Sequence, residues 1–483
     1  MEGIVGRKQE VAELERLYHS PKAEFVVVTG RRRVGKTYLI RELFKDRMTF
    51  HHTGLSPYNE DGEEKVGMNE QLQHFFHTLK RYGHKGNVIP KNWLDAFFLL
   101  EQLIEAKDDG SRQVVFIDEI PWMDTQNSRF LRAFESFVNG WALGRRNKML
   151  IVCGSATSWI EDNFIKNQKG LYDRQTYELC LRPFTLHECE EFYDFMGISM
   201  SRLDIVEMYM LTGGIPYYMG YVAPGKSLAQ NIDQMFFSKN AKLRNEFDKL
   251  FGSLFRKADD YIKIVRLLST RRGGYSRDDI VQQTGIPSSS DLTKKLESLE
   301  ASCFIKKYQP FGSTKRELRY RLIDPFCLFY LKFLDTNRPT DENFWQHNLN
   351  LPKLNAWRGL TFEDVCMAHV LQIKAALGVG NVTSTESAWN VQGDENHKGA
   401  QIDLIIERAD NVVNLCEMKY VAGQLSIDKE EDMKLRTRIA HIAGRMKKRQ
   451  NVQLTIITTY GLNYNKYSHI VQNTVTIDDL FIF

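Results

Sequence analysis

The sequence predicts an α/β fold: a parallel sheet covered by helices, then a helical segment, a three-helix-and-hairpin segment and a second α/β region. Three observations carry that reading. Short β-branched runs alternate with amphipathic stretches through the first third; a glycine-rich turn joins the first run to a helix; and two late strand-like runs bring carboxylates together. The 483 residues, at about 150 per domain, suggest roughly three domains. A composition of 42% hydrophobic, 26% charged and 12% aromatic residues excludes a disordered, collagenous or low-complexity chain. With 65 Lys and Arg against 61 Asp and Glu, any nucleic-acid surface must be a local patch. The longest apolar run, Phe326–Leu331, ends at Lys332 and is too short to span a membrane. The opening MEGIVGRKQEVAELERLY reads as a charged helix, not a signal peptide. Seven cysteines with no Cys-x-x-Cys pair read as reduced, mostly buried thiols. The expected location is therefore cytoplasmic, with no membrane partner.

Taken in order, Phe25–Thr29, Val114–Ile117 and Met149–Cys153 are apolar strands, and the segments between them are long enough to cross back over a sheet. Leu186–Tyr209 and Leu228–Leu254 read as helices. From Tyr261 to Asp324 three short helices precede a basic hairpin. Thr336–Thr340, with Pro339, is the linker candidate. A helix at Gly359–Leu377, three or four strands and further helices follow. The expected domains are 1–185, 186–254, 255–335 and 336–483.

The strongest motif is Gly30-Arg31-Arg32-Arg33-Val34-Gly35-Lys36-Thr37, a G-x-x-x-x-G-K-T loop between the strand FVVVT and the helix beginning at Tyr38. Glycines let successive N–H groups face one anion, and the helix N-terminus adds positive charge there. Lys36 is expected to reach the β- and γ-phosphates of ATP and Thr37 to ligate Mg²⁺. About 80 residues later the strand VVFI ends in Asp118 and Glu119. Asp118 is placed to hold Mg²⁺ and Glu119 to polarise the attacking water. A third strand ends near Ser155 and Thr157, hydroxyls suited to sensing the γ-phosphate or the water.

Together IVGRKQEVAELERL, GRRRVGKT, VVFIDEIPW, IVCGSATSWI and TGGIPYYM resemble the archaeal-type ATPases, AAA-related P-loop proteins near the signal-transduction NTPases. The resemblance covers roughly 1–335. It implies a P-loop parallel-sheet ATPase domain with a helical lid, in which Val5, Gly6 and Arg7 lie near the adenine. Gly213, Gly214 and Pro216 would belong to the subdomain closing over the nucleotide. It also implies an arginine approaching the γ-phosphate, with Arg174 the candidate and Arg182 the alternative.

Residues 255–335 have the order of a winged helix-turn-helix. Ser276 with Asp279 starts one helix in capping-box fashion, and Gly285 stops it. Ser290 starts the next, whose first turns carry Thr293, Lys294 and Lys295 as exposed groups; Gly312 tips the hairpin. Residues 256–324 hold 15 Lys and Arg against 9 Asp and Glu, so DNA is the expected partner, with Lys315 and Arg316 on the wing. An interdomain spacer or an autoinhibitory lid is the competing reading.

In GAQIDLIIERADNVVNLCEMKYV, Asp403 sits at a strand start, and strand periodicity puts Glu417 and Lys419 on one face of the next strand. A turn at Arg408–Asn411 makes the two strands a hairpin. Two carboxylates suit Mg²⁺, and the lysine suits the charge of a phosphoryl transition state. Glu363, in a helix upstream, offers a third. This pattern resembles the PD-(D/E)XK core of α/β restriction-endonuclease-like domains, with Ile402 where that family usually has proline. His51, His52, His74 and His77 lack the partners of a metal set and read as loop and helix residues near the nucleotide.

The leading expectation is an ATP-hydrolysing regulator coupling a P-loop switch to a DNA-binding winged helix and a Mg²⁺-dependent deoxyribonuclease domain. The alternative is a non-cleaving, ATP-dependent scaffold or transcription regulator with a degenerate nuclease fold. Oligomeric state is left open.

Overall fold

A computed structural model describes residues 3–56, 66–155, 157–165, 170–171, 174–255, 258–311, 317–335, 340–391, 400–444, 446 and 449–483. Gly312, Lys315, Arg316, residues 336–339 of the linker and the side chain of Thr157 lie outside them. The chain divides into two compact units. The first comprises residues 1–183, 248–262 and 293–303, and the second the remainder.

The first unit opens with α1 (Lys8–Tyr18), β1 (Glu24–Thr29), α2 (Lys36–Leu43), β2 (Met48–Thr53), α3 (Met68–Arg81) and α4 (Trp93–Ala106). It continues with β3 (Gln113–Asp118), α5 (Phe130–Gly140), β4 (Lys148–Cys153), α6 (Thr157–Ile160) and β5 (Tyr177–Cys180). The sheet order is β2-β3-β4-β1-β5, and every pair in it is parallel. Strands β1, β3 and β4 are buried at all six positions, which is why they read as unbroken apolar runs rather than alternating ones. Each buried valine or isoleucine there contributes about 1.5–3 kcal/mol relative to exposure. On one side α4 and α5 interleave aromatics: Phe97 stacks on Phe137 at 5.0 Å, and Trp93 meets Phe130 edge-on at 5.0 Å.

Strands β2 and β5 go beyond the sequence reading. His51 and His52 lie on β2, not in a loop. The strand holds because each histidine finds a partner: His51 stacks on Phe116 at 4.9 Å, and His52 Nδ1 meets Thr78 Oγ1 at 2.9 Å. Burial keeps both rings neutral, His51 shifted down to about 4.

The later elements are α7 (Leu186–Phe195), α8 (Arg202–Thr212), α9 (Pro216–Met219), α10 (Leu228–Ile232), α11 (Glu246–Leu254) and α12 (Ala258–Ser269). Then come β6 (Tyr275–Ser276), α13 (Arg277–Thr284), α14 (Ser290–Ala301), β7 (Ile305–Tyr308) and β8 (Arg319–Leu322), with a small antiparallel sheet ordered β6-β8-β7. Ser276 and Asp279 do form a capping box, and Gly285 ends α13 in the left-handed conformation at φ 70°.

The remainder holds α15 (Pro325–Phe333), α16 (Phe344–His347), α17 (Pro352–Ala368), α18 (Val370–Ala376), β9 (Ser384–Val391), β10 (Ala400–Arg408) and β11 (Val412–Lys419). It closes with β12 (Leu425–Ser426), α19 (Lys429–Ala443), β13 (Asn451–Thr458), β14 (Leu462–Asn463) and β15 (Asn473–Thr476). A mixed sheet runs β15-β13-β11-β10-β9, antiparallel from β9 to β11 and parallel from β11 to β15. Three expectations change here. The helix at Gly359–Leu377 begins seven residues earlier, with Pro352 in its first turn, and breaks at His369. That ring is buried and satisfied on both nitrogens, by Val365 O at 2.7 Å and the Leu186 N–H at 3.0 Å. Asp403 is the fourth residue of β10, not its first, beside an irregularity in the pairing with β9. After α19 the chain returns to strands and short 3-10 turns rather than to further helices.

Candidate functional site

The loop after β1 needs its glycines. Gly30 has φ 132°, and a Cβ there would lie 2.2 Å from the Leu181 carbonyl oxygen. Gly35 turns the chain into α2 at φ 94°. Lys36 is buried and donates to Gly30 O (2.9 Å), Arg31 O (3.1 Å) and Ser155 Oγ (3.4 Å). Thr37 Oγ1 donates to Asp118 Oδ2 at 2.8 Å. Because β4 lies between β1 and β3, Ser155, just beyond its end, reaches both Lys36 and Glu119. Ser155 donates through Oγ to Glu119 Oε1 (2.7 Å) and through its N–H to Oε2 (3.1 Å). The chain Lys36–Ser155–Glu119 thus links the phosphate loop to the carboxylate. Glu119 itself takes φ 47°, a left-handed conformation that costs a side-chain-bearing residue about 1–2 kcal/mol. Burial, then the neighbouring Glu119, lifts the Asp118 carboxyl to about 6, against the opposing Thr37 hydroxyl. The paired hard oxygens of Thr37 and Asp118 fit Mg²⁺.

The other residues singled out in the sequence divide. Arg31 is fully buried, Arg32 and Arg33 are half-buried, and Val34 is buried. Arg32 donates to Ser253 O at 3.4 Å and lies 5.9 Å from the centre of the Trp122 ring. Arg7, buried and left-handed at φ 56°, donates to Val34 O at 3.4 Å, so the segment of Val5 and Gly6 adjoins the loop. Tyr38 is exposed, with its hydroxyl on Gly3 O. Arg174 and Arg182 are both exposed. Gly213 and Gly214 are both left-handed, and Pro216 occupies the first turn of α9. A Cβ on Gly214 would meet the Phe184 carbonyl oxygen at 2.4 Å, a packing reason for the glycine.

Gln71 was not foreseen. From α3 it accepts from the Leu55 N–H and donates to Leu55 O and Trp122 O, tying the segments after β2 and after Glu119 together. A glutamine on a helix carries no sequence signal for that role.

In the second unit β10 and β11 pair Leu404 with Cys416, so Asp403 and Glu417 are the next residues on adjacent strands. Asp403 Oδ2 accepts from the Met418 N–H at 3.3 Å. Glu417 is buried between two cations, Lys419 Nζ at 2.9 Å and Arg438 Nη1 at 2.6 Å. Lys419 also meets Glu431 at 3.2 Å. Burial alone would lower the Lys419 ammonium; the Glu417 and Glu431 carboxylates hold it above its ordinary value. Glu363 on α17 is close enough to Asp403 for their charges to oppose, and burial with that repulsion raises its carboxyl well above the usual range. Asp403 is raised by burial and by Glu417. Glu431 and Arg438, both from α19, lay outside the sequence reading because nothing in a helix marks it as facing a sheet end. The hard-oxygen donors suit Mg²⁺. Among the described residues, however, no group of three or more His, Cys, Asp or Glu is arranged to hold a metal ion. Glu417 is engaged by Lys419 and Arg438, and Glu363 by Arg272 at 3.1 Å.

Within residues 255–335, Thr293 and Lys294 are exposed as expected. Lys295 is not: it is buried and ion-paired with Asp260 at 3.5 Å.

A parallel sheet whose first strand feeds a Gly-x4-Gly-Lys-Thr loop, with an acid pair two strands away, defines a P-loop ATPase fold. Residues 4–222 match the family model described as an ATPase domain predominantly from Archaea, and the chain carries an ATPase domain of that type. An uncharacterized protein of Methanocaldococcus jannaschii, MJECL04, is 25% identical over 413 residues, 83% of this chain and 84% of that protein. A Walker-type ATPase of Pyrococcus abyssi aligns in structure with TM-score 0.47 and 20% identity, over 68% of this chain and 97% of its own. The ORC2 protein of Aeropyrum pernix aligns with TM-score 0.39 and 13% identity, over 69% and 96%. No helix of the described residues is long and apolar enough to cross a membrane.

Proposed function

We propose that the chain hydrolyses ATP at the site of Lys36, Thr37, Asp118, Glu119 and Ser155, and that this cycle controls a DNA-binding winged helix and a C-terminal nuclease site. The observation that carries the first part is the Lys36–Ser155–Glu119 hydrogen-bond chain. It gives the carboxylate that would orient water a direct link to the lysine that would hold phosphate. Thr37 and Asp118 would hold Mg²⁺, which supplies neutralisation of phosphate charge. Lys36 binds and orients the phosphates, Ser155 positions Glu119, and Glu119 accepts a proton from the attacking water. Arg31, Arg32 and Arg33 add positive charge at the loop, and Arg7, Tyr38 and Pro216 are proposed for the nucleotide's outer contacts.

The nuclease reading is supported by the element order α17, β9, β10, β11, α19, β13, and by Asp403 and Glu417 on paired strands with Lys419 two residues on. Asp403, Glu417 and Glu363 would hold Mg²⁺ there, and Lys419 would stabilise phosphoryl charge. A second reading, a non-cleaving scaffold, is favoured by the ion pairs that engage Glu417 on both sides. The test is cleavage of single- and double-stranded DNA in Mg²⁺, with and without ATP, by the wild type and by Lys36→Ala and Asp403→Ala. Cleavage that needs Asp403 and responds to ATP only when Lys36 is present supports the proposal. Absence of cleavage on every substrate favours the scaffold.

A further inference from the structure

The winged-helix segment and the C-terminal carboxylates meet within the second unit. Arg272, in the turn between α12 and β6, places Nη2 3.1 Å from Glu363 Oε2 and 3.2 Å from Asp364 Oδ2. Arg321, on β8, reaches the other oxygen of Asp364. Two cations of the wing region therefore face two consecutive carboxylates of α17, and the first of those carboxylates is the one beside Asp403.

The turn is fastened to the wing. The Gly274 N–H donates to Arg271 O at 2.9 Å, and the Tyr308 hydroxyl on β7 donates to Gly273 O at 2.7 Å. Gly274 has φ 63°, and a Cβ on it would lie 2.3 Å from the Tyr320 carbonyl oxygen on β8. So close an approach leaves the turn little freedom to move without the two strands. Arg272 is one-third exposed, so displacing it does not require opening a core.

We propose that Arg272 is a gate on the C-terminal carboxylate site: carried by the wing, it occupies Glu363 and withholds that side chain from a divalent cation. This rests on the reading of Glu363, Asp403 and Glu417 as metal ligands. Asp403 and Glu417 are thereby left without the third carboxylate, because Glu363 is held by a guanidinium from a neighbouring segment. An arginine–carboxylate pair and a cation–carboxylate pair compete for the same oxygens, so removing one strengthens the other. Arg272 is here a positioning residue, acting through Glu363.

The test is Mn²⁺ binding to the full-length, nucleotide-free chain, read by electron paramagnetic resonance of free and bound ion. The proteins are the wild type, Arg272→Gln, Arg272→Lys and the double variant Arg272→Gln with Asp403→Asn. The glutamine variant should bind Mn²⁺ about tenfold more tightly than the wild type, and the gain should vanish in the double variant. The lysine variant, which keeps the charge but loses the fork, should fall between them and also guards against misfolding as the cause. Equal, Asp403-dependent affinity in the wild type and Arg272→Gln would overturn the gate while leaving the metal site intact. Absence of Asp403-dependent binding in every protein would remove the metal site, and the gate with it.

Discussion

At the level of single residues, the phosphate-loop lysine and the acid after β3 should separate cleanly. Lys36→Ala should abolish tight ATP binding, because the ammonium meets phosphate in the ground state. Glu119→Gln should keep ATP affinity within about threefold while turnover falls at least 100-fold, because the carboxylate acts on water in the transition state. Isothermal titration and a phosphate-release assay read the two, and equal loss of affinity would refute the division. Asp118 makes a second prediction, through its carboxyl raised to about 6. A carboxyl that is harder to ionise when folded contributes stability that is complete below its unfolded pKa near 4 and is lost as pH rises through 6. Asp118→Asn imitates the neutral form. It should therefore stabilise the nucleotide-free protein at pH 7 by up to about 3 kcal/mol, with the gain shrinking toward zero by pH 4. Denaturant midpoints across that range check it; a gain independent of pH would point to packing instead. The motif residues could be read from sequence because G-x-x-x-x-G-K-T and an apolar strand ending in acids are local patterns. Gln71, Arg438 and Glu431 could not, since each acts through a partner remote in the chain.

Among the elements, what was legible follows from burial. Strands β1, β3 and β4 are covered on both faces and announce themselves as apolar runs. Strand β2, MTFHHT, hides two histidines whose polarity is met by Thr78 and an aromatic face, and β5 is a four-residue edge strand with only Leu179 buried. The break between α17 and α18 has no glycine or proline to signal it, because His369 is held there by a backbone N–H from residue 186. For the proposed winged helix, the buried position of Lys295 alters which charges would be offered to DNA. Charge reversal at Lys294, Lys306 and Lys307, all exposed on α14 and β7, should weaken duplex binding. It should also flatten the log–log salt dependence by about 0.9 per lost phosphate contact. Lys295→Ala should leave the salt slope unchanged and cost about 1 kcal/mol of stability through its lost pair and packing. Fluorescence anisotropy at several salt concentrations distinguishes them; an unchanged slope in the triple variant would make the segment a spacer.

For the whole molecule, two compact units lead to the prediction that unfolding takes more than one step. A non-hydrolysable ATP analogue at 100 times its Kd should stabilise the P-loop unit by about 2.7 kcal/mol. The transition that exposes the β9–β15 region should stay where it is, and Lys36→Ala should abolish the first effect without touching the second. Calorimetry with and without the analogue reads this, and a single transition moving as one would show that the units unfold together. The order of segments was accessible from sequence, because each carries its own hydrophobic period. The chain's division into units was not, since residues 248–262 and 293–303 join the first unit from far along the chain.

The guanidinium of Arg32, 5.9 Å from the indole of Trp122, gives the nucleotide site an optical signal of its own. A cation near an indole perturbs its emission, and phosphate arriving in the loop would draw the arginine's charge toward itself. Trp93 and Trp345, both fully buried, would emit as a steady background against which that change is read. Loading of the loop could then be timed in a stopped-flow cuvette with unlabelled protein, Trp122→Phe serving as the silent control.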